Sequence, residues 1–284
     1  MVTDQLLTVV IPVQNEEKNL PLCLDSVKDF KHVVIVDSGS TDNTCEIAQQ
    51  YGREVVQFVW NGEFPKKRNW MLRNYKFKTP WVLFLDADER VTKKFVKELE
   101  QELPNSSHDV YFIRMYNWFL GRMLKHGDMT RKTAIVRVGH GEYEKIMEHR
   151  WSKLDMEVHE HIIVKGTVGY IRTPIEHYDL RSLSSYYDKH NQYSDWESNR
   201  YLAIAKDLYP GTEHWNQLTR RQRIKYKLFE NKFLPWLYFF YVYFIKFGFL
   251  DGAAGYYFAL SGMAQKSKLQ AKVYEAKLSQ KNSN

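Results

Sequence analysis

The first hundred residues alternate between short runs that are apolar at every position and segments in which apolar residues recur every third or fourth position. Residues 6–11 (LLTVVI) form an aliphatic, β-branched run closed by Pro12, the pattern of a strand covered on both faces in a parallel sheet. Leu20, Leu24 and Val27 then fall at helical spacing, and residues 32–36 (HVVIV) make a second buried strand ending at Asp37. A turn at Ser38-Gly39-Ser40 leads to a helix capped by Thr41 or Asp42 and running to Gln50, with Gly52 where a C-terminal glycine belongs. The pattern predicts a third strand over 55–59, a basic helix over 65–75 and a fourth buried strand over 81–85 (WVLFL) that delivers Asp86-Ala87-Asp88.

A helix over 92–103 follows, after which strands shorten and a polar, histidine-rich stretch runs from His126 to His177. The last third changes character, from Arg220-Arg221-Gln222-Arg223 into a run over 233–245 in which Pro235 alone breaks the apolar and aromatic sequence. The expected class is α/β, a mostly parallel sheet flanked by helices with an aromatic-rich helical C-terminal extension. We place a catalytic domain at 1–215, with a donor half over 1–105 and an acceptor half over 106–215. A basic, aromatic extension follows over 216–278, then a disordered tail over 279–284.

Length and composition fit this picture: 284 residues suffice for a full core, and 44% hydrophobic with 26% charged residues is globular. The formal charge of +7 favours anionic partners without choosing between nucleic acid, acidic lipid and a phosphorylated small molecule. Cys23 and Cys45 lie apart, without metal-type spacing, and read as core thiols of a reducing compartment. No signal-peptide pattern opens the chain, so the expectation is a cytoplasmic protein.

Two carboxylates one residue apart at a strand end can offer oxygen ligands to Mg²⁺ or Mn²⁺, leaving other positions for phosphate oxygens and water. Alone, Asp-x-Asp more often marks a solvated loop. Here a wholly apolar strand precedes it, and a second acid, Asp37, ends another strand whose carboxyl end opens on the same side of a parallel sheet. Lys66, Lys67 and Arg68 offer three cations for phosphate oxygens, or else form a solvated helix face.

These residues carry a resemblance. Val10-Ile-Pro-Val-Gln-Asn-Glu-Glu17, Val36-Asp-Ser-Gly-Ser-Thr-Asp42, Lys67-Arg-Asn69 and Phe84-Leu-Asp-Ala-Asp88 resemble, in order, the motifs of family 2 glycosyltransferases of the GT-A fold. Val158-His-Glu160, His177 and Phe249-Leu-Asp-Gly252 are similar to the branch that adds sugars to the lipopolysaccharide inner core and related glycans. The resemblance implies that Pro12, Val13 and Glu16 border the nucleotide base, that Asp37 hydrogen-bonds it, and that Lys67 and Arg68 lie near the base or diphosphate. Asp86, with Ala87, would face the ribose and Asp88 the metal, with His159 or His177 completing the shell or contacting phosphate. Gln14 departs from the pattern, since an aromatic residue is frequent there in the family.

Inverting transfer needs a base for the acceptor hydroxyl, and the resemblance favours Glu160, with Glu157 second. The same stretch, EVHEHI, also reads as a strand with one wet face. Arg131 and Arg137 can meet a phosphorylated acceptor or be ordinary surface arginines. The aromatic run, shorter than the roughly 20 residues of a span, suits peripheral contact with a membrane through its basic flank, or packs internally. The implied partners are a nucleotide-diphosphate sugar, with a uridine nucleotide favoured, and a glycan or lipid-linked acceptor at the inner membrane face. No nucleic acid is expected. The rival from another class is a basic membrane- or nucleic-acid-binding scaffold without catalysis, which leaves the carboxylates unexplained. Neither Gly-x-Gly-x-x-Gly nor a phosphate-loop motif occurs.

Overall fold

The structure is a computed structural model that describes residues 3–143, 162–164, 166–205 and 220–282. The chain forms two compact units, one of residues 1–123 and 129–181 and the other of residues 124–128 and 182–284.

In the first unit a short helix α1 (Thr3–Leu6) precedes β1 (Leu7–Val13), α2 (Leu20–Ser26), β2 (Val33–Asp37), α3 (Thr44–Gln50), β3 (Glu54–Gln57), α4 (Lys67–Asn74) and β4 (Trp81–Phe84). The strands pair in parallel in the order β3-β2-β1-β4. Every residue of β2 and β4 and all but one of β1 are buried, which is why these runs show no alternation. β5 (Glu89–Arg90), α5 (Lys93–Glu102), β6 (Val110–Phe119), β7 (Arg122–Met123), β8 (Thr130–Arg137), β9 (Gly141–Tyr143), β10 (Ile162–Val164), β11 (Val168–Tyr170) and β12 (Ile175–His177) follow. β8 inserts antiparallel between β4 and β6, and β6 carries β11 and β12 in parallel on its other edge.

Two apolar clusters sandwich this mixed sheet. One joins alternate residues of β1 (Leu7, Val9, Ile11) to Leu24 of α2, Ala48 of α3 and Phe95 and Leu99 of α5. The other joins Val10, Val34 and Phe84 to Met71 of α4 and Tyr143 of β9. The expected helices and strands are present with ends shifted by one to three residues. The third strand stops at Gln57 and leaves Val59 exposed. Thr92 caps α5 by accepting from the Phe95 amide, and Gly52 holds φ +65° after α3. Cys23 is buried as expected, whereas Cys45 is only half-buried because it sits at the rim beside Gln57.

The second unit contains α6 (Leu183–Ile204), α7 (Arg220–Leu228), α8 (Leu234–Phe240), a π-helical turn (Tyr241–Ile245), a 3-10 turn (Gly248–Asp251) and α9 (Gly252–Asn282). Its core is Tyr201, Phe229, Leu269 and Val273, with Tyr201 stacked on Phe229 at 4.0 Å between ring centroids. This packing groups α6 with the C-terminal elements, ahead of the division read at residue 215, which itself falls outside the described residues. Nor does the chain become irregular at Ser279: α9 continues to Asn282, with the Ser279 hydroxyl donating to the Glu275 carbonyl. Asp251 of the Phe-Leu-Asp-Gly motif is buried and accepts the amides of Lys125 (3.3 Å) and His126 (2.8 Å), with the His126 ring at 3.1 Å. Its carboxylate therefore pins residues 124–128.

Among the described residues no single helix is long and apolar enough to cross a membrane. The segments Leu234–Ile245 and Gly248–Ser279 meet that test only together, across a 72° bend. The bend requires glycine: a Cβ on Gly248 would lie 2.8 Å from the Val242 carbonyl oxygen, and one on Gly255 would lie 2.0 Å from the Gly248 oxygen.

Candidate active site

In the first unit, the loops leaving the carboxyl ends of β1, β2, β4 and β12 are tied to one another by side chains. After β1 the chain turns at Asn15, in the left-handed region at φ +54°. The Asn15 amide donates to Ser40 Oγ (2.9 Å), its Oδ1 accepts from the Thr41 amide (2.8 Å), and the Glu16 amide donates to Thr44 Oγ1 (2.8 Å). Asp37, across from Val13 in the sheet register, is buried. Its carboxylate accepts from the amides of Gly39 and Ser40 (both 3.1 Å) and from Ser40 Oγ (2.5 Å). Burial alone would raise the Asp37 pKa, but hydrogen bonds from the Ser40 hydroxyl and amide, joined by the Cys45 and Gln57 side chains, outweigh it and hold the group below the usual carboxylate range. Asp37 thus shapes the loop after β2; sequence reasoning had assigned it only to a ligand.

Glu16 belongs to a second tie. Arg181 reaches Asp179 (2.6 Å), Glu16 (3.3 Å) and Asp88 (3.8 Å), while Asn19 donates to Glu16 (2.8 Å) and accepts the Leu180 amide (2.8 Å). Burial opposes the Arg181 charge, yet Asp179, Glu16 and Asp88 together raise its pKa above the ordinary value. The loops after β1, β4 and β12 are therefore held by one guanidinium, which the sequence pattern did not single out.

The carboxylates after β4 divide. Asp86 Oδ1 accepts from Arg68 of α4 at 2.7 Å, and Asp86 Oδ2 from Lys132 of β8 at 3.0 Å. Lys132 also grips the buried Glu89 at 2.5 Å, and Glu89 accepts the Asp86 amide at 2.9 Å. Burial would raise Asp86, but Lys132 and then Arg68 bring it down to about 2. Burial pushes Glu89 up to about 7, with the charges of Asp86 and Asp88 adding to the rise and Lys132 opposing it. Asp86 keeps 35% of its side chain accessible, so it is both held and reachable. Asp88 turns elsewhere: its Oδ2 lies 3.3 Å from His177 Nε2, and its carbonyl accepts the Tyr178 amide at 2.7 Å.

The remaining expected residues sort as follows. Pro12 and Val13 end β1, and Lys67 Nζ, nearly buried, donates to the Val13 carbonyl at 3.2 Å. Ala87 is buried between the two aspartates. Arg137 is not available to an acceptor, because it lies over the Trp81 ring at 4.5 Å and donates to the Ser106 and His108 carbonyls. Glu157, His159 and Glu160 lie outside the described residues. Lys132 and Glu89 were missed by sequence reasoning. Lys132 falls opposite Asp86 only through the antiparallel β4·β8 register, in which Leu83 meets Ile135.

Among the described residues there is no cluster of three metal-ligating side chains. The donor pair that exists, a carboxylate oxygen and an imidazole nitrogen 3.3 Å apart, suits Mn²⁺ or Mg²⁺ bound largely through phosphate oxygens and water. Asp86, also expected as a ligand, has a cation on each oxygen, from Arg68 and Lys132.

Acids and cations gathered at the carboxyl ends of parallel strands form the arrangement in which open α/β sheets hold phosphorylated ligands. Residues 8–177 match the family model of glycosyl transferase family 2, and the chain belongs to that family: it is a glycosyltransferase with the expected GT-A fold. It is similar to the lipopolysaccharide core biosynthesis glycosyltransferase LpsC of Rhizobium meliloti (strain 1021), 28% identical over 95% of this chain and 92% of that one. An uncharacterized glycosyltransferase of Rickettsia felis is 24% identical over 71% of this chain and 72% of its own length. Among solved structures, glucosyl-3-phosphoglycerate synthase of Mycobacterium tuberculosis, in complex with Mn²⁺, uridine diphosphate and glucosyl-3-phosphoglycerate, matches at 24% identity. That match covers 40% of this chain and 44% of the synthase, with a TM-score of 0.33.

The loop chemistry around Asp37 makes an acid-stability prediction. Its native pKa lies below an unfolded value of about 3.9, so the stability it contributes is present above pH ~4 and is lost as pH falls through the native value. Ser40→Ala removes a donor to that charge and should cost about 1–3 kcal/mol at pH 7. In urea unfolding, the gap from the parent protein should narrow at pH 3. A gap equally wide at both pH values contradicts the assignment.

Proposed function

We propose that this glycosyltransferase moves a sugar, with inversion at the anomeric carbon, from a nucleotide-diphosphate sugar to a glycan or lipid-linked acceptor in lipopolysaccharide-core or related cell-envelope synthesis. The observation that carries the reading is the divided carboxylate pair: Asp86 on Arg68 and Lys132, Asp88 beside His177. The similarity to LpsC supports the substrate class. The uridine diphosphate bound by the mycobacterial synthase is a property of that protein; a uridine nucleotide is the donor to test first here.

Asp86, held ionised, accepts hydrogen bonds from the ribose hydroxyls. Its partner Arg68 offers a guanidinium to the diphosphate as the bond from the anomeric carbon breaks. Asp88 and His177 would hold Mg²⁺ or Mn²⁺, which when bound neutralises charge on the departing diphosphate. Pro12, Val13 and Glu16 border the base. The acceptor oxygen attacks the anomeric carbon opposite the leaving group, forming the new C–O bond as the old one breaks, and its proton passes to Glu160, with Glu157 the next candidate.

Uridine diphosphate with Mn²⁺ should raise the melting temperature by mass action on the native state. Asp88→Asn should remove the Mn²⁺-dependent part of that shift and reduce transfer by about 10²-fold or more, the scale of a lost charge-stabilising contact. If guanosine, thymidine, cytidine and uridine nucleotides all leave the melt unmoved, the donor reading is wrong. For the base, Glu160→Gln should keep the nucleotide shift and lower kcat by roughly 10²–10⁴-fold. Full transfer by that variant reassigns the role.

We further propose that the second unit meets the cytoplasmic face of an anionic membrane. Trp236, Leu237, Phe240, Phe244, Ile245 and Phe247 are exposed, and Lys232 and Lys246 stand exposed at the two ends of this run. The sequence of α7, RRQRIKYKL, adds basic charge before it. The protein should sediment with phosphatidylglycerol vesicles in low salt. A Phe240→Ser/Phe244→Ser double variant should lose most of that binding, and undiminished binding sinks the idea.

A further inference from the structure

The antiparallel half of the sheet differs from the parallel half in having one accessible face. Along β6 the odd positions Tyr111, Ile113 and Met115 are buried, while Phe112, Arg114, Tyr116 and Trp118, which share the other face, are partly or fully exposed. Arg114 stands directly opposite Arg131 of β8. Both are exposed, and neither side chain makes a hydrogen bond or ion pair among the described residues. Two guanidinium side chains opposite each other across antiparallel strands, with Cβ atoms roughly 5 Å apart, repel. Among the described residues no acid pairs with either, and the one nearest in register, Glu176, is already engaged by Trp118 Nε1 at 3.1 Å.

The surroundings of the pair are aromatic. On one side Phe112 stacks on Tyr170 of β11, with centroids at 5.7 Å and planes at 17°, and Tyr170 is 63% exposed. On the other lie Tyr116 and then Trp118 against Tyr178 at 4.9 Å. Arginines therefore sit within an aromatic row whose members repeat about every 6.7 Å along the strand. The row shares β8 with the donor site: Arg131 precedes Lys132, whose Nζ holds Asp86 from the other face of the strand. It also lies on the face of Val110 and Val136, on which Met71 of α4 packs, the helix that sends Arg68 to Asp86.

We propose that Arg114 and Arg131 form a subsite for the anionic substituent of a sugar acceptor, a phosphate or a carboxylate, with Phe112, Tyr170 and Tyr116 taking the apolar faces of the attached rings. A bidentate oxyanion bridging the two guanidinium groups turns their repulsion into a paired contact. The proposal rests on the reading of the unit as a sugar transferase, and it is tested without transfer.

The probes are glucose 6-phosphate, glucuronate and uncharged glucose, each titrated at constant ionic strength and followed by saturation-transfer NMR on the full chain. Glucose 6-phosphate, glucuronate or both should bind, and which of them does identifies the substituent; glucose should not. The Arg114→Gln/Arg131→Gln double variant should weaken that binding at least about tenfold, as expected for losing charge-assisted hydrogen bonds. Its melting temperature should be no lower than the parent's, because it removes a like-charge pair, and its uridine diphosphate shift should be unchanged. Equal binding of glucose, or anion binding that survives the double substitution within twofold, overturns the subsite. Loss of every nucleotide response with the sugar-anion response intact would overturn the donor reading and leave this one standing.

Discussion

Three carboxylates, Asp86, Asp88 and Glu89, occupy four consecutive positions at the end of β4, and the site is organised by the need to keep their charges apart in an interior of low dielectric. Each is answered differently. Asp86 is clasped by Lys132 and Arg68 and falls to about 2. Glu89, buried with Lys132 as its cation, rises to about 7. Asp88 is directed to His177 and Arg181. Each cation arrives from a different element, so the acids require α4, β8 and the end of β12 all to be in place. Removing Lys132 would strand the buried Glu89 and leave the half-buried Asp86 with Arg68 alone, and an ion pair broken around a buried charge costs most.

The same constraint explains what could be read from the chain and what could not. β1, β2 and β4 were legible because strands buried on both faces are apolar at every position, and a strand that ends abruptly in Asp announces its carboxyl end. The helices between them were legible from spacing and from Gly52 after α3. Lys132, Glu89 and Arg181 were not, since a lysine in Thr-Arg-Lys-Thr looks like any wet strand position until β8 is known to lie antiparallel to β4. Register is a tertiary fact, and the pattern along one strand does not contain it. Arg137 was left open between an acceptor contact and an ordinary arginine, and the fold uses it to donate to the Ser106 and His108 carbonyls.

Asp37 and Asp251 show that motif acids also hold backbone. Asp37 spends its oxygens on Gly39 and Ser40, and Asp251 spends its own on the amides of Lys125 and His126. In both cases a buried carboxylate satisfies backbone N–H groups that would otherwise be stranded, and it fixes a loop at the cost of one desolvated charge. Such an acid fixes the loop whose amides it accepts.

The two halves of the sheet then divide the chemistry by their pairing. A parallel sheet needs crossover helices, and those helices cover both faces, so a ligand can enter only beyond the strand ends, where the acids and cations of the first unit are gathered. An antiparallel pair needs no crossover and can leave a face open to solvent. β6 and β8 do so, with a dry side that continues the core and an accessible side bearing Arg114 and Arg131. Lys132 and Arg131 are neighbours on one strand facing opposite ways, one inward to hold Asp86 and the other outward. The antiparallel insertion of β8 thus places an inward cation that holds the donor carboxylates beside an outward cation that pairs with no acid among the described residues.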